Sequence, residues 1–206
     1  MATLRESIEE FRLYMDDSSE LSTAEEIRLG DRICKLVANK MPWEILRREH
    51  TSTVSGTSDT LPDRFSQILQ NDNYTDSSYE AAGPVVYVGP NYTPWKVVSI
   101  SDRRNYRDKK GFAWVDIPNN NLVFASSIND TIEYDYKQNP ATLTSFDDTI
   151  WIPDNYAPIV FFGMCIDSWV IQQSPKARSY RDENIAAFNM WLSDMKYWNA
   201  SLVQMN

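Results

Sequence analysis

The sequence predicts an α+β protein in which N- and C-terminal helices form a helical bundle and a central antiparallel β domain, built from hairpins, is inserted between them. Three observations carry this. Apolar residues recur at the helical period up to about residue 48. From about Glu49 the texture changes to β-branched and aromatic runs punctuated by Pro, Asn, Asp and Gly, and helical spacing returns after Ile152-Pro153-Asp154. Each helical part shows one apolar face, and the most economical arrangement buries those faces against each other. The expected organisation is a helical domain from residues 1–48 together with 152–200, a β domain at 49–151 and a C-terminal tail at 201–206. With 206 residues, 42% of them hydrophobic, the chain can build a core, which excludes wholesale disorder.

Taken in order, Thr3 with Glu6 is a capping-box pattern, because the Thr oxygen and the Glu carboxylate can each satisfy an orphan N–H of a first turn. Leu4, Ile8, Phe11 and Met15 then share one helical face, and Asp16-Asp17-Ser18-Ser19 stops the helix. Ser22 with Glu25 repeats the box. The second helix carries Ile27, Ile33, Cys34, Val37 and Met41 on its apolar face, leaves Glu25, Glu26, Arg28, Asp31, Arg32 and Lys35 for the other sides, and ends or kinks at Pro42. The segment WEILRRE that follows is either a further helical turn or the entry to a strand.

The β region opens with HTSTVSG and a stretch around Phe65–Leu69 as strands flanking a Leu61-Pro62-Asp63-Arg64 turn. Residues 71–79 are a polar loop. Strands follow at Pro84–Gly89 and Trp95–Ile100, and Ser101-Asp102-Arg103-Arg104 can cap a short helix. Phe112–Ile117 alternates on a period of two, Pro118 to Asn121 supplies a turn whose Asn residues tolerate positive φ, and Leu122–Ser126 returns. Ile132, Tyr134 and Tyr136 alternate with Glu133, Asp135 and Lys137 in a last strand. The apolar run Ala157–Ile171 is too long for a strand and reads as a helix broken at Gln172-Gln173-Ser174-Pro175. A final helix from Lys176 to about Asn199 aligns Ala177, Tyr180, Asn184, Ala187, Phe188, Trp191, Met195 and Trp198, a stripe suited to a core.

Several chemistries lack their residues. One His (His50) and two Cys (Cys34 and Cys165, both in apolar helical patterns) leave no zinc spacing and no disulfide framework. A Ser-His-Asp or Cys-His triad would have to use His50, and REHTSTVSG resembles no nucleophile turn. The six glycines form neither GxGxxG nor a phosphate loop. The carboxylate pairs Asp16-Asp17 and Asp147-Asp148 lie in turn-like contexts, where solvated acids are the common case. No catalytic residue, metal site or cofactor is expected. The Ala157–Ile171 run is shorter than the ~20 residues a membrane helix needs, and the N-terminus lacks the basic-then-apolar order of a signal peptide, so neither a membrane partner nor export is expected.

Net charge is −9, and no third of the chain is basic. Tight non-specific DNA binding through phosphate neutralisation is therefore disfavoured. The exception is local: Arg103, Arg104, Arg107, Lys109 and Lys110 stand within eight residues, opposed only by Asp108. Such a run is ordinarily a solvated turn, and its functional reading is a contact to an acidic partner or passing nucleic acid.

The whole order of elements resembles the head-to-tail adaptor proteins of tailed bacteriophages, including the tail tubular or gatekeeper proteins of short-tailed phages. The residues that carry it are a first helix ending in Asp16–Ser18, a second leading to Trp43, and a Ser/Thr strand running to Leu61-Pro62-Asp63-Arg64-Phe65. They continue with Trp95–Tyr106 (WKVVSISDRRNY), a hairpin ending in LVFAS, an IEYDY strand, Ile152-Pro153-Asp154, an apolar helix and a second helix containing Tyr180. The chain departs from the pattern in its polar loop at 71–79 and its aromatic-rich C-terminus. The resemblance implies a structural virion protein at the head–tail junction, assembled in the host cytoplasm as a homo-oligomeric ring, typically of twelve copies. It would dock beneath the portal protein, receive the tail or nozzle protein, and let genomic DNA pass its lumen without sequence-specific binding.

Seven Trp and eleven Tyr supply candidate interface anchors, and the acidic balance suits a lumen along which DNA slides. Ser201, Leu202, Val203, Gln204, Met205 and Asn206, read as an extended tail, are a candidate docking arm beside the basic cluster. Two other classes compete. A carbohydrate- or peptide-binding module would expose Trp95, Trp114 or Tyr134 for stacking, and a carboxylate-dependent hydrolase would hold two acids of shifted pKa in a deep cleft.

Overall fold

The computed structural model describes residues 2–15, 21–69, 83–172 and 180–205, with side chains at 169–172 and 203–205 excepted. The expected helix stop at Asp16–Ser19, the 71–79 loop, the break at Gln173-Ser174-Pro175, the start of the last helix at Lys176, and Asn206 lie outside the described residues. The protein is mixed α+β and divides into two compact units, Met1–Ile45 with Pro140–Asn206, and Leu46–Asn139. No described helix is long and apolar enough to cross a membrane.

The first unit holds α1 (Leu4–Tyr14) and α2 (Thr23–Ala38) from one end of the chain. Two further described helices come from the other end. The central one, Pro158–Gln172, packs against α1, α2 and the last helix, Arg181–Met205. It is apolar around most of its circumference, as a helix covered on several sides must be. Its Ile159, Val160, Met164 and Cys165 are fully buried. Glycine permits the closest approaches: a Cβ on Gly163 would lie 2.5 Å from Ile33 Cγ2, and one on Gly30 would lie 2.4 Å from Leu4 Cδ1.

Helix α1 starts differently from the sequence expectation. Thr3 occupies the N-cap with extended backbone but its side chain makes no capping bond. The orphan N–H groups of Leu4 and Arg5 donate instead to the carbonyls of Asp148 (3.1 Å) and Phe146 (2.8 Å), and Thr3 bridges Thr149. The loop that does this is held by Asp148, whose Oδ2 accepts the N–H groups of Thr144 (2.6 Å) and Ser145 (2.9 Å). Those bonds lower the Asp148 pKa. At α2 the expected box forms, with Ser22 N–H donating to the Glu25 carboxylate at 2.8 Å. The helix ends at Ala38, four residues before Pro42, and the buried indole of Trp43 turns back to donate to the Val37 carbonyl at 2.8 Å. Trp151 does the same for Cys34 at 3.2 Å.

The buried face of α2 is Glu26, Leu29, Gly30, Ile33, Cys34, Val37 and Ala38, so Glu26 is not on a solvated side as expected. It is 2% exposed and paired with Arg12 at 2.6 Å, and the Arg12 guanidinium also covers the Phe146 ring at 5.2 Å. Both cysteines are buried, which pushes each thiol up to about 12. They are not reactive groups. The last helix continues through Ser201–Met205, so these residues are its final turn and not an extended tail.

Among the described residues the second unit contains six strands: β1 (Arg47–Thr60), β2 (Phe65–Ile68), β3 (Val85–Val88), β4 (Thr93–Val97), β5 (Phe112–Asp116) and β6 (Asn121–Gln138). The WEILRRE segment becomes both alternatives, a 3-10 turn at Glu44–Leu46 and the start of β1. Strands β1 and β2 flank the predicted turn but do not pair with each other; both pair with β6. The two expected strands at 122–126 and 132–137 are one continuous β6, with β5 joined to it by the predicted hairpin in which Asn120 takes a φ of 53°. Since β6 also pairs with β3, β3 with β4, and β4 with β5, these four strands close into a ring.

The β4–β5 pairing is parallel, which corrects the expectation of a wholly antiparallel domain. A parallel pair cannot be joined by a tight turn and needs a crossover of about a dozen residues. Residues 98–111 are that crossover. The ring encloses Val86, Trp95, Ala113, Leu122, Phe124, Ile132 and Tyr134, all 2% exposed or less, with Trp95 edge-on to Phe124 at 5.6 Å.

Two predictions follow from the helical unit. Replacing Asp148 with Ala should accelerate hydrogen exchange at the Leu4 and Arg5 amides, and unchanged protection there would show that the loop does not need the carboxylate. Because the folded pKa is lowered, the carboxylate's contribution is present above its ordinary 3.8 and lost as pH falls through the folded value, so acid should reproduce the substitution. Replacing Gly163 with Ala should lower stability in urea by ~1–3 kcal/mol through overpacking against Ile33, and an unchanged midpoint would show that Ile33 moves freely.

Candidate functional site

The crossover carries the basic cluster and explains its position. Ser99 begins it, its hydroxyl accepting from Ser101 N–H at 3.3 Å, so the capping residue is Ser99 and not Ser101. A 3-10 turn at Ile100–Asp102 leads into the short helix α3 (Arg103–Tyr106). With the crossover counted as α3, the apolar Pro158–Gln172 helix is α4 and Arg181–Met205 is α5. The chain then turns through Asp108, at a φ of 63°, and Asp108 N–H donates to the Ala125 carbonyl at 2.9 Å. That carbonyl is free because the β1–β6 register jumps between Gly56–Ile128 and Ser58–Val123, so residues 124–127 bulge out of the β1 ladder. Tyr106 stacks on Phe112 at 4.3 Å and lies under Lys109 Nζ at 5.5 Å, fixing the other flank of the crossover.

The result is a groove of about 510 Å³ whose lining includes Arg103, Arg104, Arg107, Trp114 and Ala125 and one carboxylate residue, Asp108. Its three arginines are exposed. Among the described residues no carboxylate pairs with any of them, whereas Arg5, Arg12, Arg32 and Arg47 pair with Asp147, Glu26, Asp167 and Asp135. Lys109 and Lys110 are exposed too, and Lys110 lines a smaller hollow with Trp95, Ile128 and Asp130. The structure therefore brings Arg103, Arg104 and Arg107 together in one groove. Ser201, Leu202, Val203, Gln204 and Met205 belong to the other unit, on α5.

A second groove of about 500 Å³ was not visible in the sequence. Tyr87 and Tyr92 come from β3 and the β3–β4 turn, and Asp130 and Glu133 from β6, juxtaposed by the Tyr87–Glu133 register pair. Gly89 is essential to it. At a φ of 75° its N–H donates to the Thr131 carbonyl at 2.8 Å, and any Cβ would meet Asp130 Oδ2 at 2.6 Å. The turn then presents Tyr92, 58% exposed, across from the two acids. Asp130 Oδ1 accepts from Thr131 N–H at 2.9 Å, and neither acid has an ion-pair partner among the described residues.

His50, the single histidine, sits in a polar cluster. Its Nε2 lies 2.9 Å from Asp59 Oδ2, and the Ser52 hydroxyl donates to the same oxygen at 2.9 Å. Serine and histidine converge on the carboxylate, so no Ser-to-His-to-Asp relay exists in this group. Tyr134 packs against the imidazole at 4.9 Å, and its buried hydroxyl has no partner. Burial raises the Tyr134 pKa, with the Asp59 charge adding to the effect. No group of three or more metal-ligating side chains occurs among the described residues. Of the aromatic residues expected to stack on a ligand, Trp95 and Tyr134 are core residues at 1% exposure, although Trp95 borders the smaller hollow, and Trp114 lines the arginine groove.

No protein-family model matches the chain, and no curated protein matches it in sequence.

Removing an unpaired buried hydroxyl leaves nothing unsatisfied. Tyr134→Phe should therefore leave stability unchanged or raise it, and a loss above ~1 kcal/mol in urea would reveal a hydrogen-bond partner for that oxygen.

Proposed function

We propose that this chain is a structural virion protein, a ring-forming head-to-tail adaptor that docks beneath a portal, continues the DNA channel and offers the attachment surface for a tail or nozzle protein. The finer architecture belongs to the same proposal: the helices from both chain ends form a bundle, and the β unit is an insert within it. The observation that carries the reading is the pairing of that chain order with an exposed Arg103-Arg104-Arg107 groove on the inserted unit whose arginines form no ion pair among the described residues. An adaptor needs surfaces for neighbours, and an acidic protein that leaves three nearby guanidinium groups with no ion pair among the described residues offers one. The tip of α5, Ser201–Met205, is a second candidate contact, now as a helical turn.

The two competing classes draw less support. The carboxylates whose pKa values move, Glu25 and Asp148, are both lowered by hydrogen bonds, the wrong direction for a general acid at neutral pH. Stacking on Trp95 or Tyr134 would require opening the β core.

Mass photometry and electron microscopy of the purified chain, alone and mixed with portal rings from the same particle, test the proposal. Closed homo-oligomeric rings seated on the portal are expected. A chain that stays monomeric and does not bind portal rings under any condition overturns it.

A further inference from the structure

The β unit carries two grooves of nearly equal volume and opposite chemistry. One presents Arg103, Arg104 and Arg107 beside Trp114; the other presents Asp130 and Glu133 beside Tyr87 and Tyr92. Among the described residues no ion pair engages either charge set, although Asp108 borders the arginine groove. Lys110 shares a hollow with Asp130 without forming an ion pair to it. A guanidinium is recognised by carboxylate oxygens that accept its forked donors and by an aromatic face that it can cover. The second groove offers both, in Asp130, Glu133 and the exposed ring of Tyr92.

We infer that the basic groove of one copy docks into the acidic Tyr87-Tyr92-Asp130-Glu133 groove of a second copy of this chain. The occupant is argued from complementarity of charge and of group: the arginine groove needs carboxylates with aromatic cover, and the same molecule presents that combination on different residues. Because the two surfaces differ, the contact is between unlike patches, the kind that repeats from copy to copy and closes into a ring when its rotation allows. Gly89 acquires a role in this contact, since only a residue without Cβ lets the β3–β4 turn approach Asp130 and aim Tyr92 into the groove. The inference rests on the ring reading above and names its interface.

Charge reversal with complementation tests it. One variant carries Arg103→Glu, Arg104→Glu and Arg107→Glu, all at exposed positions; the other carries Asp130→Lys and Glu133→Lys, with Asp130→Asn and Glu133→Gln as a milder pair, and circular dichroism checks that each folds. If the wild-type chain assembles, each reversal alone should weaken assembly by about tenfold or more, and mixing the two reversals should restore it, because every junction then again joins opposite charges. Wild-type assembly that persists in both reversals, or a mixture that does not recover, overturns the interface and leaves the ring reading standing. A wild-type chain that assembles neither alone nor on portal rings overturns both.

Discussion

Strand β6 is the constraint on which the β unit depends. It runs for 18 residues and hydrogen bonds to β1, β2, β3 and β5, so every other strand except β4 takes its register from it. A strand paired to β1 along one edge cannot also close a ring with β3, β4 and β5 unless the two-stranded ribbon bends. The bend is at Gly56, with a φ of 132°, opposite residues 124–127 of β6, which have no partner on β1. Its sharpness shows in one distance. His50 and Asp59, nine residues apart on β1, touch at 2.9 Å, whereas a straight strand would hold them ~30 Å apart.

From that bend the placement of the basic cluster follows. Ring closure sets β4 beside β5 in parallel, parallel pairing demands the 98–111 crossover, and the bulge frees the Ala125 carbonyl that accepts from Asp108. The five cations between Arg103 and Lys110 therefore lie on a segment that has to pass over the outside of the ring. An apolar crossover would have covered the groove. This one is exposed and polar, and although it carries Asp102 and Asp108, neither forms an ion pair with the arginines, so the groove stays open.

Much of this was legible in the sequence where the determinant is local. The 3.6-residue period placed α1, α2, α4 and α5, and Asn120 marked the β5–β6 hairpin. What failed is non-local. Thr3 and Glu6 had the residues of a capping box, but a loop some 140 positions away supplies the acceptors for Leu4 and Arg5, and no window of sequence records that. Glu26 read as a solvated acid because nothing nearby announced Arg12 as its buried partner. The candidate site divides the same way. A cluster of cations is visible in composition, while the Tyr87-Tyr92-Asp130-Glu133 groove joins residues more than forty positions apart through one register pair. Trp95 and Tyr134 look like ligand platforms in an alternating strand, and only ring closure tells which of its faces is inside.

The charge distribution decides how such a molecule can meet a copy of itself. Two chains of net charge −9 repel, but at physiological ionic strength that repulsion decays over about 8 Å, so at a distance it is weak and at contact only neighbouring groups count. The described cations of the helical unit that pair, Arg5, Arg12, Arg32 and Lys35, are neutralised by carboxylates of their own chain and offer a partner little. Arg103, Arg104 and Arg107 are not. In the proposed contact they are a patch at which a like-charged copy gains attraction instead of repulsion, and such a patch favours the registers of encounter that use it.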